Sequence, residues 1–115
     1  SIVFTGRNEI KEMNREYRNI DRATDVISFA FSEGEGSQFV PFLLGDIFIC
    51  PEVVADHAEK FGTTFENELI FVVVHGVLHL LGFDHNRKSD REKMREAEDI
   101  VMKELVGNWN GRCEK

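Results

Sequence analysis

The sequence predicts a single α+β domain, a small β-sheet covered by helices, and three observations carry that expectation. Its 115 residues are 42% hydrophobic and 30% charged, the balance of a chain with one water-shielded core. Short runs rich in β-branched and aromatic residues gather before Cys50, and segments of helical period dominate from Pro51 onward, giving the order β-α-β-β-α-α-α. The third is an uncharged apolar run from Leu69 to Leu81, long enough for a buried helix and short of the ~20 residues of a membrane span.

Ser1 to Phe4 reads as a strand closed by Thr5-Gly6. Asn8 suits the N-cap of a helix whose Ile10, Met13 and Tyr17 share one face and whose end carries Arg18. The polar stretch Asn19 to Asp25 delivers the chain into a second strand, Val26 to Phe31. Ser32 to Gln38, with two glycines and two glutamates, is expected to be an exposed loop able to cover a substrate. Phe42 to Cys50 is a third strand with Asp46 as its one charge. Pro51 fits a first helical turn, and Val53, Val54, Ala58 and Phe61 continue that helix to Gly62. His57, flanked by Asp56 and Glu59, is expected on the surface. Thr63-x-x-Glu66 has the form of a capping box opening the apolar helix, and Ser89-x-x-Glu92 of another opening a charged helix to about Val106. Met94, Ala97, Val101, Met102 and Leu105 form the apolar stripe of that last helix, and Asn108 to Lys115 is expected to be a loose tail.

The net charge of −7 argues against a general polyanion binder, but the excess is regional. From Val26 to His85 nine acidic side chains face the single Lys60, whereas Ser1 to Asp25 carries five of each sign. Lys11, Arg15, Arg18 and Arg22 recur near helical spacing there, as a basic edge for a phosphate backbone or as a solvated face of mixed ion pairs. Neither a signal peptide nor a membrane span is visible, so a cytoplasmic, soluble protein is expected. Cys50 and Cys113 are too few for a disulfide framework or a thiolate metal site.

The chemistry concentrates at the end of the apolar run. His75 and His79 stand four residues apart, so on a helix their imidazoles meet at one point. Gly82 can take the left-handed conformation that ends a helix and so bring His85 toward the same point. A lone buried histidine is usually a core residue with a hydrogen-bond partner. Three in an apolar setting cost about 1–3 kcal/mol for each group left unsatisfied, and one shared metal satisfies them all. Three imidazoles with a fourth position open to water are the ligand set of catalytic zinc, one ion per chain; nickel accepts the same donors. In the zinc-peptidase pattern a glutamate follows the first histidine as general base, and here Gly76 occupies that place; Glu68, almost two turns earlier, is a distant substitute.

The run His75-Gly76-Val77-Leu78-His79-Leu80-Leu81-Gly82-Phe83-Asp84-His85 resembles the His-Gly-x-Leu-His-Leu-x-Gly-x-Asp-His signature of the YbeY family, bacterial zinc-dependent endoribonucleases of ribosomal RNA maturation. Asn14 to Phe29, through Tyr17, Arg18, Asp21 and Thr24-Asp25-Val26-Ile27-Ser28-Phe29, resembles a second block of that family, and Gly45-Asp46-Ile47 a third. The resemblance runs from about Ser1 to about Trp109. It implies a mixed sheet with the metal helix near its centre, one zinc on His75, His79 and His85, and a catalytic or phosphate-binding role for Arg18, which otherwise would only pair with Asp21 or Asp25. It further implies single-stranded ribosomal RNA as substrate and the ribosome as partner. Asp84, beside a ligand, would orient an imidazole or cap the turn. Family members usually begin with a further strand and helix, so residues 1–115 are read as one metallohydrolase domain either lacking that unit or belonging to a short member. The bare histidine spacing leaves two other classes, a peptidase with an atypical base and a non-catalytic ribosome-associated zinc module.

Overall fold

Alternation decides the sheet. The computed structural model describes residues 1–30, 44–83, 87–107 and 109, and in it β1 (Ile2–Phe4), β2 (Val26–Ala30) and β3 (Gly45–Ile49) form one sheet in the order β1-β3-β2. β1 runs parallel to the central β3, with Val3 opposite Phe48. β2 runs antiparallel to it, with Ser28 opposite Ile47, so the sheet is mixed. Successive side chains of a strand leave opposite faces. Val26, Ile47 and Ile49 accordingly join one apolar cluster, and Ile27 joins another with Ile10, Cys50 and Val53.

The second cluster is closed by α1 (Arg7–Arg18), whose Ile10 is fully buried and whose Tyr17 ring meets Phe29 edge-on. α2 (Pro51–Phe61) follows β3 directly, with Pro51 in its first turn and Gly62 ending it in the left-handed conformation. α3 (Phe65–Leu80) lies against the other face of the sheet, and α4 (Lys88–Leu105) covers it from outside with Met94 and Met102. Sheet on one side and α4 on the other explain why α3 is apolar almost all round. Among the described residues no helix is long and apolar enough to cross a membrane.

Gly76 sets how closely α3 approaches the sheet. A Cβ there would stand 3.1 Å from Ser28 Oγ and 3.2 Å from two Ile47 side-chain carbons. The Ser28 hydroxyl donates to the Gly76 carbonyl at 3.2 Å across this contact. A side chain in that place would need Ser28 and Ile47 to give by a few tenths of an ångström, so the glutamate of the peptidase pattern does not fit this contact without a shift.

Several boundaries differ from the sequence reading. The cap of α1 is Gly6 rather than Asn8, and α4 starts after Arg87 with no side-chain cap, not at Ser89. Thr64 caps α3 instead of Thr63, its hydroxyl accepting from Asn67 N at 3.1 Å. Leu105 is exposed, whereas Trp109, expected in a loose tail, is buried and stacks on Phe71 with ring centres 5.8 Å apart. The expected loop Ser32 to Gln38, Cys113, and the signature residues Asp84 and His85 lie outside the described residues.

Candidate metal centre and its cleft

The C-terminus of α3 is built by its last two turns. Gly82 has φ of +103°, the region glycine reaches without a steric penalty. Its N–H donates to His79 O at 3.1 Å, and the Phe83 N–H donates back to Leu78 O at 3.0 Å. This pair of bonds is a Schellman closure, with Phe83 tucked against the core that Leu78 belongs to.

That closure also fixes an imidazole. The Phe83 carbonyl lies 3.1 Å from His79 Nδ1 and can only accept, so Nδ1 carries the proton and Nε2 keeps its lone pair. His79 Nε2 stands 3.1 Å from His75 Nε2, and the ring centres are 4.6 Å apart. The buried Nδ1 of His75 faces the other way, toward Glu98 Oε2 at 3.6 Å. Two nitrogens on a tetrahedral zinc at 2.0–2.1 Å are about 3.3 Å apart, so the pair fits a shared ion with little movement.

The pair opens into a cleft of about 760 Å³ lined by Tyr17, Arg18, Asp25, Ser28, Phe29, Leu80 and Phe83 among others. Arg18, the last residue of α1, reaches this cleft exposed. Among the described residues it forms no ion pair, and Asp25, one of its two expected partners, turns to His57 instead. Of the basic edge, Lys11, Arg15, Arg18 and Arg22 are all exposed, and Arg15 pairs with Glu12. Tyr17 is 66% exposed beside Arg18, which leaves most of its ring free to meet a flat partner.

The structure also gathers a group the sequence reading left scattered. Asp25, His57 and Glu68 place one potential ligand atom each within 4.8 Å of one another, the right reach for a metal. His57 Nδ1 lies 3.2 Å from Asp25 Oδ2, and Glu68 is fully buried. His57 was expected on the surface because Asp56 and Glu59 flank it. Its neighbours on the helix face are Val53 and Val54, both buried, and it is itself half-buried, turned to Asp25. Glu68 stands seven residues before His75, on the same face of α3 and about 10 Å away along the axis. Held at that distance, it is not a base for chemistry at the histidine pair. The i, i+7 spacing from Glu68 to His75 was the one signal in the sequence that pointed to this face.

Residues 1–106 match the family described as Endoribonuclease YbeY. This chain belongs to that family. It is 45% identical over 105 residues to the Endoribonuclease YbeY of Staphylococcus carnosus, covering 89% of this chain and 69% of that protein. The Staphylococcus aureus counterpart is 43% identical over 107 residues with the same coverage. Among solved structures, the solution structure of TM1509 from Thermotoga maritima superposes with a TM-score of 0.62 at 37% identity, over 94% of this chain and 68% of that one. The mixed three-stranded sheet with α3 against it is thus a YbeY fold.

Proposed function

We propose that this YbeY member is a zinc-dependent endoribonuclease that cuts single-stranded RNA in the cytoplasm, with ribosomal RNA as its substrate in ribosome maturation and quality control. The observation that carries the reading is the His75–His79 pair, two Nε2 atoms 3.1 Å apart in a cleft shared with the exposed Arg18. His85 is the third ligand in this reading, completing an all-imidazole set that suits one zinc per chain. A bound zinc supplies Lewis acidity and fixed positive charge at the point where the two rings meet.

The rest falls to the chain itself. Arg18 offers a forked, permanently charged donor to a non-bridging phosphate oxygen, and its charge grows in value as negative charge develops on phosphorus. Tyr17, exposed beside it, offers a face on which an unpaired base can stack, an arrangement a duplex cannot use without opening. Ser28 is committed to the Gly76 carbonyl and holds α3 on the sheet rather than acting on substrate. The Phe83 carbonyl holds His79 in the tautomer that presents Nε2.

The test is a paired incubation of purified protein with a structured RNA and with casein, with and without chelator. The reading predicts cleavage of RNA alone, at its unpaired segments, lost with chelator and restored by zinc. Proteolysis would favour the peptidase class, and activity on neither substrate the non-catalytic zinc module. A His79→Ala sample prepared in parallel excludes contaminating nuclease by failing to cleave.

A further inference from the structure

Glu98 breaks the pattern of its own helix. α4 buries Met94 and Met102 one turn to either side of it, so position 98 lies on the stripe where an apolar residue belongs. It holds a carboxylate instead, 9% exposed, one of three buried polar or charged side chains among the described residues. A carboxylate in such a place is costly unless a donor or a positive charge faces it. What faces Oε2, at 3.6 Å, is Nδ1 of His75. Phe71 lies against the same imidazole and Trp109 stacks on Phe71, so the pair sits under an apolar cover.

We propose that Glu98 is a positioning residue that accepts the Nδ1 proton of His75 and thereby turns the lone pair of Nε2 toward His79 and the ion they share. The proposal deepens the metal reading above and rests on it. Each ring then has its own acceptor behind it, a main-chain carbonyl for His79 and a carboxylate for His75. The opposite tautomer of His75 would put an unprotonated nitrogen against a carboxylate oxygen, two negative ends facing in a low-dielectric pocket. A carboxylate in this position also makes the imidazole a stronger donor to a cation than a neutral acceptor does. The carbonyl arises from the helix end itself, whereas the carboxylate must be imported from α4, and this accounts for a charge on that helix's buried stripe.

The experiment compares wild type, Glu98→Gln and Glu98→Leu in zinc affinity, by competition with a chromogenic chelator, and in thermal stability without metal. Glu98→Leu should lose about 10- to 100-fold in zinc affinity and Glu98→Gln, which keeps an acceptor without the charge, about 3- to 10-fold. The metal-free Leu variant should melt within a few degrees of wild type, because removal of a buried charge offsets the loss of the acceptor facing His75 Nδ1. Lower affinity without lower stability is a split that a merely structural residue does not produce. Nitrogen-15 spectra of the imidazoles give the second readout: the His75 ring signals should move in Glu98→Leu while those of His79, held by Phe83, stay in place. Zinc affinity within twofold of wild type in the Leu variant, or His75 signals that do not move, overturns the proposal. Should His79→Ala bind zinc as well as wild type, the metal reading itself fails, and the metal-free spectra still report whether Glu98 orients His75.

Discussion

Two groups that meet one face of α3 invite comparison, because both contain histidine and only about two helical turns separate Glu68 of the one from His75 of the other. The Asp25–His57–Glu68 group mixes imidazole with carboxylates, has one fully buried member, Glu68, and two half-buried ones, and has His57 tied to Asp25 at 3.2 Å. The His75–His79 pair brings two like nitrogens to 3.1 Å at the wall of a cleft, with each Nδ1 turned to an acceptor behind it. The first group contains donors and acceptors of both signs and can satisfy itself by hydrogen bonding. The second sets two imidazole Nε2 atoms against each other, an arrangement that a shared cation would satisfy. Ligand-atom spacing alone therefore does not distinguish a metal site from a polar network; the match of donors to acceptors does.

The comparison breaks most visibly at His79. His79→Ala should abolish both RNA cleavage and stoichiometric zinc, a loss of at least about 100-fold in activity, with circular dichroism unchanged. Arg18→Glu separates chemistry from metal holding: cleavage should fall by about 100-fold or more while elemental analysis still finds one zinc per chain. Glu68→Ala probes the other group. It should cost about 1–3 kcal/mol in denaturant unfolding by emptying a fully buried polar position beside the Asp25–His57 pair, with zinc affinity within twofold of wild type. A second equivalent of zinc that disappears in this variant would overturn the division drawn between the two groups. Gly82→Ala should have the smallest effect, about 1–2 kcal/mol of stability, since a φ of +103° strains any residue with a Cβ and nothing crowds the position.

Much of this was legible in the sequence, for identifiable reasons. The alternation of Val26 and Ile27 between two cores and the helical period of Ile10 with Met13 follow from strand and helix geometry, and they placed the elements in order. Gly82 announced the end of α3, and the four-residue spacing announced that His75 and His79 meet. What stayed hidden depends on tertiary contact. Thr63 and Thr64 are both competent caps, and only the folded chain chooses Thr64. Trp109 is buried because Phe71 offers a ring to stack on, which its polar surroundings in the sequence do not reveal. Glu98 is one acid among many on a charged helix, and its meaning comes from His75 on the neighbouring helix.

The central claim, that one zinc held by the α3 histidines is required for cutting RNA, is tested most directly on a single preparation stripped and reloaded. Zinc per chain and cleavage of an unpaired RNA should fall together on chelation and return together at one equivalent, in wild type and not in His79→Ala. Cleavage that survives complete removal of metal, or full zinc occupancy in His79→Ala, would contradict it.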